Sequence, residues 1–181
     1  SKPLITQVSP VSVTHVNHSN INYTSSETLE FMEIIWEQIG GESDTSSHHT
    51  IELAGEDLTG GRHENLALWE SIPLNSGTIY SMTIRASDLA GNEADIVKMN
   101  TITYDVELPI LALNMPLTAS YINNTNVSYS LSEELAEATL TWTSSAGISS
   151  VVDLTSIEMS PGSHEDIELR NVPQLTDSET Y

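Results

Sequence analysis

Residues 80–86 read Tyr-Ser-Met-Thr-Ile-Arg-Ala, so that apolar and polar side chains alternate along the stretch. Alternation with a period of two is typical of a β-strand that buries one face, because successive side chains of a strand point to opposite sides of its sheet. We therefore predict a half-buried strand here. Strand-like runs of this kind recur at intervals of roughly 8–15 residues with turn residues between them, a spacing that predicts an all-β sandwich.

The chain contains an internal repeat. Residues 22–29 (Asn-Tyr-Thr-Ser-Ser-Glu-Thr-Leu) match residues 128–135 (Ser-Tyr-Ser-Leu-Ser-Glu-Glu-Leu), 106 positions later. Farther along, residues 61–68 match residues 162–169 at an offset of 101, which places a gap in the loop-like stretch 40–48. Such self-similarity indicates copies of one structural unit.

The repeat predicts two modules. The first covers residues 1–105, and the second covers residues 106–181 and lacks its last strands, because residues 81–105 have no counterpart in it. A sandwich without these strands has open edges and an uncovered core. We therefore expect either residues beyond Tyr181 or another chain to supply what the second copy lacks.

Comparison of the two copies assigns the faces of one central strand. Residues 27–39 have the composition of a helix as much as of a strand, but their counterpart around Trp142 is rich in Thr and strand-like. The alternate residues Met32, Ile34 and Trp36 correspond to apolar residues in the second copy, whereas Phe31 corresponds to a glutamate. We predict a strand whose Trp36 face is buried.

Two local motifs make the fold prediction more specific. Residues 74–80 (Leu-Asn-Ser-Gly-Thr-Ile-Tyr) resemble the tyrosine corner of Greek-key sandwiches, in which a Tyr hydrogen-bonds back to the backbone a few residues upstream. Tyr181 recurs in register with Tyr80. Residues 86–92 read Ala-Ser-Asp-Leu-Ala-Gly-Asn, and a further strand, Asp105 and Pro109 follow at the module boundary.

With these motifs, the chain resembles tandem bacterial immunoglobulin-like repeats and is similar to fibronectin type III modules. The resemblance covers the whole first copy and most of the second. Repeats of this group form long stalks in secreted and surface-attached bacterial proteins, notably giant adhesins. The resemblance implies immunoglobulin-like Greek-key modules, a bacterial extracellular or cell-surface location, a non-catalytic spacer function and neighbouring copies of the same module as partners.

Composition excludes several other functions. The chain has 5 basic and 26 acidic residues and a net charge of −21, which argues against binding to nucleic acid or to an anionic membrane surface. No apolar run approaches the roughly 20 residues of a membrane-spanning helix, so no membrane insertion is expected in this fragment. The absence of cysteine excludes disulfides and thiolate chemistry. No secretory leader pattern opens the chain, which suggests a cytosolic protein or, as we prefer, a piece of a larger one.

The acidic surface suggests cation binding. Ca²⁺ takes six to eight oxygen ligands, and the resemblance to calcium-rigidified adhesin repeats implies an ion at the joint between modules. The candidate ligands lie in the loop after the 80–86 strand and at the module boundary: Asp88, Asn92, Glu93, Asp95, Asp105 and Glu107. An alternative remains open, in which Asp88 shapes a turn and Gly91 takes a positive φ.

Catalysis is not expected. No Gly-x-Ser-x-Gly motif and no glycine-rich phosphate loop occurs. His48 and His49 are adjacent and would face opposite sides of a strand, so they do not predict a zinc site. The rival hypothesis is an accessory module of a secreted enzyme that binds a carbohydrate or a protein, with Trp69 as its candidate aromatic contact.

Overall fold

The computed structural model describes residues 1–68, 72–170, 174–176 and 179–181. In these residues thirteen β-strands and one short 3-10 helix are formed, with no α-helix, which confirms the predicted all-β class. No helix of this described part has the length and apolar character needed to cross a membrane. The chain divides into two compact units, Ser1–Glu107 and Leu108–Tyr181.

The first unit contains eight described strands in two sheets. The strands are β1 (Ile5–Ser9), β2 (Thr14–Val16), β3 (Ile21–Ser25), β4 (Leu29–Gly41), β5 (His49–Glu52), β6 (Gly61–Leu66), β7 (Thr78–Asp88) and β8 (Val97–Tyr104), with a 3-10 helix at Gly55–Leu58 before β6. One sheet has the order β1-β3-β6, and the other has the order β2-β8-β7-β4-β5. Neighbouring strands are antiparallel except β2 and β8, which run parallel.

The core of this unit lies between its two sheets. Ile21 and Tyr23 of β3 and Met32, Ile34 and Trp36 of β4 are fully buried in one apolar cluster. Side chains from two sheets that meet in one core define the β-sandwich class. The predicted inward face of β4 is therefore confirmed.

Residues 27–39 lie largely in a strand, as their counterpart in the second copy predicted. β4 pairs with β7 along nearly its whole length, from Leu29 opposite Asp88 to Gly41 opposite Thr78. Its burial alternates with a period of two, and β7 shows the alternation expected of residues 80–86 except at Ser81, which is fully buried between Tyr80 and Met82. Tertiary pairing thus overrides the helix-forming residues of this stretch.

Gly41 ends β4 and allows the chain to turn into the next loop. Its φ is +71°, and a Cβ atom at this position would lie 2.3 Å from the carbonyl oxygen of Gly77. Only glycine meets both requirements without a shift of the backbone. The loop that follows, residues 42–48, carries Asp44 towards the core.

The second unit contains five described strands: β9 (Leu111–Met115), β10 (Val127–Leu131), β11 (Thr139–Thr143), β12 (Ser149–Asp153) and β13 (Gly162–Ile167). They form one sheet of order β13-β10-β9 and a two-stranded sheet of β11 and β12. The bounds of β9 and β10 lie 106 positions after those of β1 and β3, and the bounds of β13 lie 101 positions after those of β6. A smaller core surrounds Tyr129 and Trp142.

Candidate functional site

Asp88, the first candidate calcium ligand, shapes a turn at the end of β7. Its Oδ1 accepts hydrogen bonds from the backbone N–H groups of Ala90 at 2.9 Å and Asn92 at 2.8 Å. Its Oδ2 accepts a hydrogen bond from the side-chain amide of Asn92 at 2.7 Å. Gly91 has a φ of +79°, as the turn interpretation predicted. Both carboxylate oxygens of Asp88 are thus engaged within the loop.

These hydrogen bonds make the turn sensitive to pH. They stabilise the ionised form of Asp88. The side-chain amide of Asn92 contributes most to holding the pKa of Asp88 below its ordinary value, and the backbone N–H of Asn92 comes second. A carboxylate with a lowered folded-state pKa stabilises the fold above the unfolded-state pKa of about 4, and the stabilisation is lost as pH falls through the folded-state pKa.

We expect Asp88→Ala to lower the denaturation midpoint at pH 7, because it leaves three donors of the turn without their acceptor. The difference between variant and wild type should shrink as the pH falls below about 4. Denaturant titrations at several pH values measure both effects. Asp95→Ala, which removes an exposed carboxylate seven residues farther along the same loop, is the control and should leave the midpoint nearly unchanged. A pH-independent difference for Asp88→Ala would contradict the role given to its charge.

The other candidate ligands are dispersed over the first unit. Both carboxylate oxygens of Asp95 lie 2.6 Å from the ammonium group of Lys2 at the surface. Asp105 Oδ1 accepts hydrogen bonds from Ser76 Oγ at 3.3 Å and from the backbone N–H of Glu107 at 3.0 Å. Glu93 forms a backbone bridge opposite Ser87.

The structure brings Asp88 together with Asn92, and Asp105 with the backbone of Glu107. Within the described ranges, no three or more His, Asp or Glu side chains are grouped to hold a metal ion. Calcium binding by these residues stays a prediction, and its test is given below.

A buried polar network that the sequence did not predict lies at the start of β5. Asp44 Oδ2 accepts hydrogen bonds from His49 Nε2 at 2.5 Å and from the Tyr80 hydroxyl at 2.7 Å. Asp44 Oδ1 accepts one from the backbone N–H of Ser46 at 2.9 Å. The Tyr80 hydroxyl also accepts a hydrogen bond from the backbone N–H of Asn75 at 3.0 Å, which is the predicted contact across the corner. We call Asp44, His49 and Tyr80 the buried triad.

The electrostatics of the buried triad favour an ionised Asp44. Burial raises the pKa of this carboxyl, but hydrogen bonds from His49, Tyr80 and Ser46 outweigh burial and hold the pKa below its ordinary value. Burial and the neighbouring Asp44 raise the pKa of Tyr80 to about 12, against the hydrogen bond from Asn75. All three side chains are almost completely buried. A histidine and a carboxylate therefore meet here, but a substrate cannot reach them from solvent.

The two units share a stacked aromatic pair between neighbouring strands. The rings of Tyr23 and His63 lie 4.7 Å apart with an interplanar angle of 18°, and those of Tyr129 and His164 lie 4.7 Å apart with an angle of 20°. We call these contacts the Tyr–His stacks.

Hydrogen bonds to the chain just before β6 and β13 fix the four rings. Tyr23 donates to the carbonyl of Asp57, and Tyr129 donates to that of Glu158 at 2.7 Å. His63 and His164 each donate from Nε2 to a carbonyl four residues upstream at 2.8 Å. These histidines lie within β6 and β13.

Two open grooves occur in the described part of the second unit. One, of about 570 Å³, is lined by residues around Ala138 and Met159. The other, of about 380 Å³, is lined by Tyr121, Asn124, Asp166 and their neighbours, and the Tyr121 ring is fully exposed. Trp69, the aromatic residue singled out for binding, lies outside the described residues.

Comparisons of the chain with models of protein families, with curated proteins and with solved structures give no match. The proposals that follow therefore rest on the contacts described above.

Proposed function

We propose that the chain consists of two copies of an immunoglobulin-like Greek-key module, which act as non-catalytic spacers in a large secreted or surface-attached bacterial adhesin-like protein. The strand order of the first unit supports the fold: one sheet resembles the A, B and E strands of immunoglobulin domains, and the other resembles strands G, F and C with additional edge strands. The Tyr–His stacks support the duplication, because equivalent residues make the same contacts in both units.

The observation that carries the spacer function is the parallel pairing of β2 with β8. Thr14 lies opposite Ile102 and Val16 opposite Tyr104. β2 is near the entry of the chain into the first unit, and β8 is near its exit. Tension along the polypeptide pulls two such parallel strands in opposite directions along their common axis, so their hydrogen bonds are loaded together and not one after another. We call β2 and β8 the terminal clasp.

Further contacts at the ends of the terminal clasp extend the paired region. The backbone N–H of Val13 donates to the carbonyl of Asn100 at 2.9 Å, and that of Asp105 donates to the carbonyl of Val16 at 2.9 Å. The Oγ of Ser12 accepts a hydrogen bond from the backbone N–H of Asn100 at 3.0 Å. Under tension, these hydrogen bonds would break together with those between β2 and β8.

Single-molecule pulling on the 181-residue chain, tethered at its two ends, tests the spacer function. Val13→Pro removes the donor to Asn100 and does not fit the φ of +58° at this position, so the unfolding force of the first unit should fall. Val13→Gly is the matched control, because it keeps the N–H, tolerates a positive φ and removes only an exposed side chain. Equal unfolding forces for the proline variant, the glycine variant and wild type would contradict the mechanical role of the terminal clasp.

The absence of catalysis is part of this proposal. The buried triad contains the acid–base pair that a hydrolase would need, but its carboxylate is occupied by structural hydrogen bonds from Tyr80 and Ser46. The nearby hydroxyl of Ser47 accepts a hydrogen bond from the backbone of Gln38 at 2.7 Å, so it is engaged in holding the loop. These groups stabilise the fold of the first unit.

Calcium stiffening is the second part of the proposal, and it is tested in solution. We expect millimolar Ca²⁺ to raise the melting temperature more than NaCl of equal ionic strength does. Binding to the folded state at about 100-fold excess over Kd contributes about 2.7 kcal/mol, which is several degrees for a domain of this size. Monovalent salt only screens the acidic surface. Asp88 and Asp105 lie at opposite ends of the β7–β8 pair, so Asp88→Ala and Asp105→Ala test two separate sites, and the variant that removes the excess identifies the ligand. Identical curves in the two salts would leave the carboxylates as a solvated surface.

An accessory binding module is the second candidate, and the groove beside Tyr121 is the observation that favours it. An exposed ring next to Asn and Asp side chains is the chemistry with which proteins hold a sugar. Titration of oligosaccharides into wild type and into Tyr121→Ala tests this function. Binding to wild type but not to the variant would favour a binding module over the spacer.

A further inference from the structure

β8 contains a β-bulge beside the terminal clasp. Tyr80 of β7 lies opposite Ile102 of β8. Two residues farther along β7, Met82 lies opposite Met99, so β8 has one residue more than β7 between these two pairs. A bulge leaves its extra residue outside the regular ladder of hydrogen bonds and bends the strand. Asn100 lies in this bulge.

Both backbone polar groups of Asn100 bond to the segment that precedes β2. Its N–H donates to Ser12 Oγ at 3.0 Å, and its carbonyl accepts a hydrogen bond from the N–H of Val13 at 2.9 Å. Ser12 Oγ in turn donates to the sulfur of Met99 at 3.7 Å. The bulge is therefore bonded to the chain at the beginning of the terminal clasp.

Thr101, the next residue of β8, has a strained backbone. Its φ is +59°, in the left-handed region that glycine adopts readily and a β-branched residue rarely adopts. Its side chain is exposed, so no burial of the side chain offsets the strain. A conformation of this kind persists only where the surrounding contacts enforce it.

The hydrogen bond from Val13 is the contact that enforces it. The ψ of Asn100 and the φ of Thr101 together set the orientation of the rigid peptide group between these two residues. The carbonyl of Asn100 belongs to that peptide group, so its direction towards Val13 fixes the φ of Thr101. Without the hydrogen bond, the peptide group is free to rotate and Thr101 can take the negative φ of an ordinary strand.

Val13 also has a positive φ, of +58°, but its conformation does not depend on the clasp. Ala119, its counterpart 106 positions later, has a φ of +60°. Residues 120–122, which correspond to β2, belong to none of the described strands. The turn before β2 thus forms without a strand to pair with, and the strain that depends on the clasp is that of Thr101.

Little buried surface holds β2 in its place. It is an edge strand of three residues, and its neighbour in the sheet is β8. Thr14 and Val16 are half-buried, and His15 between them is exposed. The other edge strand of this sheet, β5, begins with His49, which is buried in the triad. Segments with few buried apolar contacts are those that open locally from the native state.

We propose that the terminal clasp is closed under strain, because the hydrogen bond between Val13 and Asn100 holds Thr101 in its left-handed conformation. Opening of β2 breaks this hydrogen bond and lets Thr101 relax, so the strain lowers the free energy of opening. β2 then detaches from β8 while the rest of the first unit stays folded. The inference goes beyond the spacer function and does not depend on it, because this opening takes place without load.

Native-state hydrogen exchange of the 181-residue chain tests the proposal. The amides of Val13 and Asp105 bond across the clasp and report its opening. We expect both to exchange faster than the β4 amides that are bonded to β7. Thr101→Asn should slow the exchange of both clasp amides by about fivefold or more, because asparagine tolerates a positive φ better than threonine does. Neither amide adjoins residue 101, so the substitution leaves their intrinsic exchange rates unchanged.

Thr103→Asn is the matched control. It makes the same change two residues farther along β8, at a residue whose φ is not positive. There the substitution relieves no strain and only replaces a β-branched residue, which strands favour, with one that they disfavour. The two clasp amides should therefore exchange no more slowly than in wild type. The β4 amides report in every sample that the first unit is folded.

Three outcomes would overturn the proposal. Thr101→Asn leaves the exchange of the clasp amides unchanged or speeds it, which would mean that opening releases no strain. Thr103→Asn slows exchange as much as Thr101→Asn does, which would make the effect one of asparagine and not of φ. In the third, the clasp amides exchange as slowly as those of β4, so that β2 opens only when the whole unit unfolds. Faster exchange at the clasp than in β4, slowed by Thr101→Asn alone, supports the proposal.

Discussion

Replacing Trp36 with alanine is expected to lower the free energy of unfolding of the first unit by about 3–5 kcal/mol, the range for removal of a large buried aromatic side chain. Trp36 is fully buried at the centre of β4, and its ring meets that of Tyr80 edge-on at 6.1 Å. The loss therefore combines a large cavity with a broken aromatic contact. Denaturant unfolding followed by circular dichroism measures it.

Phe31 provides the matched control for this prediction, because it lies on the same strand and is half-buried on the opposite face. Phe31→Ala should cost clearly less than Trp36→Ala, although both variants remove an aromatic ring. Trp142→Ala makes the corresponding change in the second unit, where the core is smaller, so its expected loss lies at or below the low end of the range. Equal losses for Trp36→Ala and Phe31→Ala would contradict the faces assigned to β4.

Replacing Asp44 with alanine is expected to destabilise the first unit by about 2–6 kcal/mol at pH 7, because it leaves two buried donors, His49 and Tyr80, without their acceptor at about 1–3 kcal/mol each. The carboxylate accepts hydrogen bonds from His49, Tyr80 and Ser46. Without it, two buried side-chain donors lose their acceptor, and each such loss carries a desolvation penalty. Thermal and denaturant unfolding should report the same loss.

Two variants separate the buried triad from a general effect of charge. Tyr80→Phe keeps the ring but removes the hydrogen bond to Asp44 and the one from the backbone N–H of Asn75, so it should cost about 1–3 kcal/mol. Glu52→Ala removes an exposed carboxylate at the end of β5 and should change stability by less than about 0.5 kcal/mol.

The pH dependence of the stability lost in Asp44→Ala tests whether Asp44 is ionised in the folded state. Because the pKa of Asp44 is lowered in the folded state, its contribution is present above about pH 4 and is lost as pH falls through the folded-state value. The difference between wild type and Asp44→Ala should therefore shrink in acid. A loss that is as large at pH 2 as at pH 7 would contradict an ionised Asp44.

The strands were predictable where two copies of one pattern were available. Residues 27–39 have no decisive propensity by themselves, but their counterpart around Trp142 favoured a strand, and β4 confirms it. The turn at Asp88 was also predictable, because an Asp followed three residues later by Gly supplies both the side-chain acceptor and the positive φ that a tight turn needs.

The buried triad was not predictable by the same reasoning. Asp44 lies in a loop for which the shorter second copy has no counterpart, so the comparison of copies gave no signal there. The contact with Tyr80 joins residues that are 36 positions apart in the chain. A usable signal was present nonetheless: an Asp in a small polar loop five residues before a strand-initial His.

The Tyr–His stacks were missed for a different reason. Both residues recur at the expected offsets, Tyr23 with Tyr129 and His63 with His164, but recurrence does not say which residues touch. The pairing depends on β3 lying beside β6, which is a fact of sheet order. Once that order is known, the two recurring residues lie opposite each other in register.

A nuclear Overhauser spectrum of the 181-residue protein tests most directly the claim that one module is present twice. We predict cross-peaks between the ring protons of Tyr23 and His63 and, separately, between those of Tyr129 and His164, because each pair of ring centroids lies 4.7 Å apart. Both sets of cross-peaks together would support two copies of one sandwich. The absence of either set, in a protein whose strands are otherwise formed, would contradict it.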